Sequence, residues 1–187
     1  MTGADDAMKR ILRTLMLLLA SLIALSPAAA QEDVGPYRLG TGDEVKIFVF
    51  GLDAANGSYA LGDGGSISLP LIGAVPAAGR TLPELEVAIG EALKAKQIIK
   101  EPSVSAQMVK YRPFYILGEV QKPGQYAYAP GMTVIQAVSM AGGYTFRANE
   151  KKATISRPGN GQAVKSTVKP DARVLPGDTV IIAEAWF

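Results

Sequence analysis

Hydrophobic and polar residues alternate along several short segments of the chain, and glycine or proline bounds most of these segments. Such a period of two residues predicts half-buried β-strands. In residues 45–50, valine and isoleucine alternate with a second set that includes Phe48 and Phe50, so we expect this strand to be packed on both faces. Strands are predicted within residues 45–50, 61–79, 104–109, 114–120, 125–130, 151–159 and 174–187, with a polar loop after residue 159.

A helical period replaces this alternation in residues 81–101. Thr81 and Glu84 have the spacing of a capping box, in which each side chain accepts a hydrogen bond from the backbone of the other residue. Leucine, isoleucine and alanine then recur at positions 85, 88, 89, 92 and 93, which form one apolar stripe. This segment is the most strongly predicted helix in the chain.

A second, shorter helix is predicted after residue 133. Thr133 and Gln136 again have capping-box spacing, and Gly142 and Gly143 provide the left-handed conformation that ends many helices. The order is therefore a hairpin at 114–130, a helix, and further strands. A short helix lying on a small mixed sheet buries one face of each, which predicts an α+β fold and a β-grasp-like second domain.

The first thirty residues have the pattern of a cleavable secretory signal. Basic residues at 9, 10 and 13 precede an apolar run at 15–25, and an Ala-x-Ala site lies at 28–30. The alternative is a membrane anchor, but the run is shorter than the roughly 20 residues that span a bilayer. Because Asp5 and Asp6 are unusual in a basic leader, translation could start at Met1 or at Met8.

Charge and composition exclude several classes of function. The formal net charge is +2, and removing the leader lowers it by one, so the chain lacks the basic surplus of a nucleic-acid-binding protein. It has no cysteine, and hence no disulfide or lipid-bearing cysteine, and no histidine, which excludes a Ser-His-Asp triad and every histidine-based metal site. We therefore predict no catalytic residue, no metal site and no cofactor.

One short pattern occurs twice. The sequences LGTGDEVKIFV at 39–49 and VLPGDTVIIAE at 174–184 share Gly-Asp-x-Val-x-Ile. Both are interpreted as turns that lead into a strand, in which the aspartate accepts a local backbone hydrogen bond. The alternative is an aspartate that binds a ligand.

Two long segments resemble a known family. YRLGTGDEVKIFVFG at 37–51 and DGGSISLPLIGAVPAAGRTLPELEVAIGEAL at 63–93 are similar to the export domain of outer-membrane polysaccharide export proteins. YILGEVQKPGQYAYAPGMTVIQAVSMAGGYTFRANEKKATISR at 115–157 resembles the soluble-ligand-binding β-grasp (SLBB) domain that follows it. The domains implied are a signal peptide at 1–30, an export domain at 31–111 and an SLBB domain at 112–187, with the final strand at 178–183 packing back on the first domain.

The resemblance implies a component of capsular or exopolysaccharide export that forms or adapts an oligomeric ring for the polymer. It implies two partners, the polysaccharide and an inner-membrane co-polymerase that is often linked to a tyrosine kinase. The chain lacks the family's lipid-bearing cysteine and ends at Phe187 without a membrane-crossing helix. We therefore expect a short periplasmic member associated with the outer membrane, which either forms the pore itself or adapts a separate outer-membrane β-barrel.

Candidate contact residues are basic or aromatic, because cations could bind acidic sugars and tyrosines could stack on sugar rings. They are Lys110, Tyr111, Arg112, Lys122, Tyr126, Tyr128, Arg147 and Arg157. For each residue a structural role is the alternative; in particular, the two tyrosines at 126 and 128 share one face of a strand and are expected to pack. The terminal pair Trp186 and Phe187 either docks on a neighbouring subunit or covers its own sheet.

Two other classes of function remain as alternatives. A periplasmic glycosidase would need two carboxylates about 5–10 Å apart in a cleft, and no pair of acidic residues stands out. A monomeric periplasmic carbohydrate-binding β-grasp module is the other alternative. The oligomeric state distinguishes this module from the export component.

Overall fold

A computed structural model describes residues 35–159 and 162–185 of the chain. The predicted signal peptide, the two candidate start residues and the terminal pair Trp186 and Phe187 lie outside these ranges. The described residues from 37 onward form one compact unit. Among the described residues, no helix has both the length and the hydrophobicity needed to cross a membrane.

The first part of this unit, called the first module below, contains five strands and one long helix. The strands are β1 (Glu44–Val49), β2 (Gly57–Ala60), β3 (Ser66–Leu69), β4 (Gly73–Pro76) and β5 (Val104–Lys110), and the helix is α1 (Leu82–Ala95). Strand β1 lies between β2 and β5 in an antiparallel sheet, and β3 pairs with β4 in a separate hairpin. A short 3-10 helix, Asp53–Ala55, connects β1 to β2.

The two faces of strand β1 have different environments. Val45, Ile47 and Val49 are fully buried in the first hydrophobic cluster, together with the inward face of α1. Phe48 and Phe50, in contrast, are exposed. The expectation that β1 is packed on both faces is therefore wrong for the single chain, since the described residues cover only its aliphatic face.

Helix α1 begins as predicted and ends earlier. The capping box is present: Glu84 N donates to Thr81 Oγ1, and Thr81 N donates to the Glu84 carboxylate at 2.9 Å. The helix ends at Ala95 and not at residue 101. It ends there because Gln97 takes a positive φ of 56° and Ile98 N donates to Leu93 O, a hydrogen bond that closes the last turn.

The second module is a five-stranded mixed sheet with one short helix. Its strands are β6 (Phe114–Gly118), β7 (Gly124–Tyr126), β8 (Ala153–Arg157), β9 (Val164–Val168) and β10 (Thr179–Ile182), and the helix α2 (Val134–Met140) follows the first hairpin. The strand order is β7-β6-β10-β8-β9, with β6 and β10 parallel in the centre. This is a β-grasp topology, and the predicted α+β fold is confirmed.

The final strand is placed differently from the expectation that it packs back on the first module. Strand β10 is inserted between β6 and β8 and pairs with both of them. Its residues Val180 and Ile182 are buried in the second hydrophobic cluster. Both edges of β10 are thus hydrogen-bonded within the second sheet, and its apolar face belongs to the core of the second module.

Helix α2 covers one face of this sheet through Val134, Ala137 and Val138. Thr133 N donates to Gln136 Oε1 at 2.9 Å at its start. Gly142 and Gly143, both with positive φ, follow its end as predicted.

Two of the described strands were not predicted, β2 at 57–60 and β9. Residues 164–168 form β9 at the edge of the second sheet, within the segment interpreted as a polar loop. Four of its five residues are exposed, so the segment lacks the alternation of buried and exposed positions that a sequence pattern can reveal. Backbone pairing with β8, rather than side-chain burial, holds this strand in place.

Gly118 is the glycine that the second sheet requires most strongly, and its substitution tests the parallel pairing of β6 with β10. It has φ +89°, and a Cβ atom would lie 2.0 Å from the carbonyl oxygen of Ile182. For Gly118→Ala we expect a loss of more than about 3 kcal/mol, because a left-handed alanine alone costs about 1–2 kcal/mol and the collision adds to it. Urea denaturation followed by circular dichroism measures this loss.

Two glycines serve as matched controls. Gly131 has φ +81° with open space around its Cβ position, so Gly131→Ala should lose only about 1–2 kcal/mol. Gly124 has neither restriction, and its alanine variant should be close to neutral. Equal losses for Gly118→Ala and Gly131→Ala would contradict the close approach to β10.

Candidate functional site

The two Gly-Asp turns have the same internal geometry. Gly42 and Gly177 take φ values of +89° and +85°, and the following residues, Asp43 and Asp178, are completely buried. Gly40 N donates to Asp43 Oδ2 at 2.8 Å, and Leu175 N donates to Asp178 Oδ2 at the same distance. These bonds confirm that each aspartate accepts a local backbone hydrogen bond at the start of a strand.

Each buried aspartate also binds one of the arginines predicted as a contact residue. Arg157 donates two hydrogen bonds to the two carboxylate oxygens of Asp178, both at 2.9 Å. Arg112 donates its backbone N–H to Asp43 Oδ1 at 2.7 Å and its Nη1 to Oδ2 at 3.2 Å. A buried carboxylate requires such partners, because removing the charge from water is unfavourable without them.

Arg112 contacts both turns and so links the two modules. Its Nε donates to the carbonyl oxygen of Pro176, in the turn before β10, at 3.1 Å. The guanidinium group also fills the space beside Gly40, where a Cβ atom would lie 2.0 Å from Nη1. The segment between β5 and β6 is therefore a structured junction.

A row of three tyrosines continues this junction. The ring of Tyr111 makes edge contacts with Tyr37 at 5.1 Å and with Tyr128 at 5.4 Å between centroids. Tyr37 packs on the first hydrophobic cluster and Tyr128 on the second. Burial, together with the hydrogen bond that Tyr37 donates to Asp43 Oδ2, raises the pKa of the Tyr37 hydroxyl well above its usual range. Tyr37 thus remains a neutral hydrogen-bond donor to Asp43.

The remaining candidates lie elsewhere on the second module. Arg147 forms an ion pair with Glu184, with Nε 2.7 Å from Oε1, and both side chains are about half exposed. Tyr126 is partly buried on the second cluster, as predicted, and its hydroxyl donates to the carbonyl oxygen of Lys122 at 2.6 Å. The side chains of Lys110 and Lys122 are exposed. Three of the eight candidates, Tyr111, Arg112 and Tyr128, therefore meet at the junction, and the other five lie apart from it.

Phe146 was not among the predicted candidates. Its side chain is 94% exposed, the highest value among the exposed large hydrophobic residues described. Its neighbours in the sequence are polar, so no period marks it, although a lone phenylalanine in a polar loop is a weak signal. Exposed aromatic residues are enriched at protein interfaces.

Arg112 at the junction should contribute more to the free energy of unfolding than Arg147 on the surface. Arg112→Gln leaves the buried Asp43 carboxylate without its cation, and we expect a loss of about 2–4 kcal/mol in the free energy of unfolding. This loss is smaller than that for breaking a fully buried ion pair, because Arg112 is partly exposed. Arg147→Gln is the matched control and should lose much less, since its ion pair is solvated. Urea denaturation measures both, and equal losses would show that the junction contributes no special stability.

Comparison with known protein families identifies both modules. Residues 31–109 match the family described as polysaccharide biosynthesis/export protein, and residues 113–165 match the SLBB domain. Arg112 lies between the two matched segments.

Individual relatives agree with these matches. The chain is 40% identical over 141 residues to the exopolysaccharide production protein ExoF of Rhizobium meliloti, covering 70% of this chain and 33% of the relative. It is 28% identical over 182 residues to the EPS I polysaccharide export outer membrane protein EpsA of Ralstonia solanacearum, covering 80% of this chain and 48% of the relative. The chain thus spans between a third and a half of the length of these relatives. It contains a polysaccharide biosynthesis/export domain followed by an SLBB domain and is homologous to ExoF and EpsA.

Proposed function

We propose that this chain is a non-enzymatic component of exopolysaccharide export that assembles with copies of itself into a conduit for the polymer at the outer membrane. Its family and its relatives concern polysaccharide export and exopolysaccharide production. The observation that carries the assembly is the uncovered face of the first sheet. Phe48, on β1, and Phe50, directly after β1, are 52% and 73% exposed, and Val109, on β5, is also exposed.

This face has the character of an interface. Strands β1 and β5 are neighbours, with Phe48 opposite Ser105 and Lys46 opposite Gln107. The apolar side chains are therefore surrounded by small and polar ones, as in the core and rim of a protein interface. Exposed apolar patches with a polar rim commonly mark sites of protein association. The second sheet also exposes two large residues on β6, Tyr115 and Leu117.

We propose the domain division at 31–111 and 112–187, with Arg112 at the boundary. Two separate hydrophobic clusters support it, one formed by residues 39–106 and the other by residues 114–182. The Arg112 contacts hold the two domains together. We also propose a periplasmic location and an inner-membrane co-polymerase as partner, on the basis of the family.

The structure divides the basic candidates for polymer contact into two groups. Arg112, Arg147 and Arg157 each neutralise a carboxylate of the same chain, so their charges support the fold. Lys110 and Lys122 have exposed side chains and are the better candidates for contact with acidic sugars. Weak and dispersed contacts suit a polymer that must keep moving.

Polymer localisation tests the export function. In a clean in-frame deletion, we expect extracellular polysaccharide to be lost and restored by the gene on a plasmid. Polymer measured inside and outside the cells locates the block, and internal accumulation places it after synthesis. Normal secretion by the deletion strain would contradict the proposed function.

The uncovered face is tested by a double substitution. For Phe48→Ser with Phe50→Ser, we expect self-association to fall at least about tenfold, because two exposed aromatic anchors of an interface are removed. Sedimentation velocity of the purified mature protein measures the oligomer, and the unfolding transition should change little since both residues are exposed. Val164→Ser, at an exposed valine on β9, is the control and should assemble normally.

Sedimentation velocity also tests the alternative function, a monomeric carbohydrate-binding module. An oligomer that the double variant does not weaken would show that this face is not the interface. A wild-type monomer with saturable binding of a sugar would favour the carbohydrate-binding module over the export component.

A further inference from the structure

The second sheet has one covered face and one open face. The inward residues of its strands, such as Ile116, Ile155 and Val180, are buried in the second hydrophobic cluster together with helix α2. The residues between them point to the opposite side, because successive side chains of a strand face in opposite directions. On that side Tyr115 and Leu117 are 43% and 47% exposed, so no described segment covers it. This side is called the open face below.

The pairing registers bring five outward residues into a line that crosses all five strands. On β6, Tyr115 lies opposite Thr179 of β10, and Thr179 lies opposite Ser156 of β8. The complete line, called the polar row below, is Gln125, Tyr115, Thr179, Ser156 and Lys165, in the order of the strands. Since neighbouring strands lie about 4.8 Å apart, the polar row extends over about 19 Å.

A second row lies beside the polar row on the open face. It consists of Leu117, Ile181, Thr154 and Thr167. Its first two residues are apolar and its last two carry hydroxyl groups. Among the nine side chains of the two rows, the Lys165 ammonium is the one charged group and there is no carboxylate. The open face therefore offers hydrogen-bonding and apolar groups side by side, with little charge.

The polar groups of the open face are not used by the fold. Within the part of the chain that the structure describes, the side chains of Gln125, Tyr115, Ser156 and Thr179 have no hydrogen-bond partner. The hydroxyl groups of the two threonines in the second row have none there either. These donors and acceptors are directed to solvent, so a ligand could bind them without breaking a hydrogen bond of the fold.

We infer that the open face of the second sheet binds the polysaccharide. A chain of neutral or acidic sugars would lie across the strands, and its hydroxyl groups would exchange hydrogen bonds with the polar row. The apolar C–H faces of its rings would contact Tyr115 and Leu117. This inference rests on the proposed export function and names a polymer site within it. Because each strand contributes one similar group, the site offers several weak positions between which a polymer can move.

The composition of the open face favours a glycan over a second copy of the chain. The first sheet exposes Phe48 and Phe50, and aromatic residues are enriched at protein interfaces. Apart from Tyr115, the open face consists mainly of serine, threonine, leucine and isoleucine. Serine, threonine and leucine are under-represented among the residues that dominate protein–protein binding. Sugars, in contrast, carry hydroxyl groups on most of their ring carbons and therefore need many hydrogen-bonding partners.

Removal of two hydroxyl groups tests the site. Thr179→Val with Ser156→Ala keeps the shape of the face, and the fold loses no hydrogen bond within the described residues. Affinity electrophoresis measures binding of the purified mature protein to exopolysaccharide that has been purified from the culture medium. We expect the Kd of the double variant to rise at least about fivefold, because two hydrogen bonds to the polymer are lost. The urea unfolding midpoint should stay unchanged.

Ser166→Ala is the matched control. Ser166 lies on β9 opposite Ile155, so its side chain is on the other face of the same sheet, and its variant should bind like the wild type. Equal affinities of the double variant and the wild type would overturn the inference, as would a wild type that does not bind the polymer. If the double variant lowers self-association in sedimentation velocity but not polymer affinity, the open face contacts a second copy and the inference is wrong.

Salt distinguishes this site from contacts made by Lys110 and Lys122. At about 1 M sodium chloride the Debye length is about 3 Å, which screens contacts between exposed lysines and an acidic polymer. We expect the wild type to retain at least about half of its affinity, since hydrogen bonds and apolar contacts are screened little. Complete loss of binding at this salt concentration would assign the contact to the lysines and overturn the inference.

These outcomes are separable from failure of the export function. Wild-type protein that restores secretion to the deletion strain, together with a double variant that binds the polymer as tightly, would refute only the site on the open face. A deletion strain that secretes normally would refute the export function, whatever the affinities show.

Discussion

The buried carboxylate of Asp43 is the constraint on which the arrangement of the two modules depends. It accepts hydrogen bonds from Tyr37, Gly40 and Arg112, and Arg112 also supplies the cation. Because a buried carboxylate is unfavourable unless all its partners are present, the chain must keep Arg112 beside the first turn. The same guanidinium reaches Pro176. The buried Asp43 of the first module thus fixes the position of Arg112, and through it the start of the second module.

Both modules contain the same arrangement of a turn, a buried aspartate and an arginine. Each module has a strand preceded by a Gly-Asp turn, a buried aspartate and an arginine that neutralises it. The difference lies in what the arginine connects. Arg157 comes from β8, next to β10 in the same sheet, and strengthens one module, whereas Arg112 comes from the segment between the modules and joins them. The repeated pattern is therefore evidence about stability, and the function must be sought on the exposed surfaces.

Those surfaces are the places where the proposed assembly would form. Each sheet has one face covered by a helix and exposes large hydrophobic residues on the other. In the proposed assembly, neighbouring copies would cover what the single copy leaves exposed on the first sheet.

Local patterns were enough to predict the fold class, both helix starts, the Gly-Asp turns and the family, because each depends on residues close together in the chain. The Thr81 capping box, the stripe through Leu85 and Ile89, and the alternation around Ile47 are of this type. The helix end at Ala95 was missed because a single positive φ at Gln97 decided it. Strand β9 was missed because its pairing with β8 needs no buried side chain.

Tertiary structure alone decided which charges and rings are free. Arg112 and Arg157 are of a residue type that often binds ligands. In the fold, however, each pairs with a buried aspartate, Asp43 or Asp178, which lies 69 or 21 residues away in the sequence. Both arginines therefore have a structural role. The exposure of Phe48 was equally hidden, because an alternating pattern does not show whether a second layer covers the other face. Sequence periodicity specifies what a residue prefers, whereas burial and ion pairing depend on contacts between distant segments of the chain.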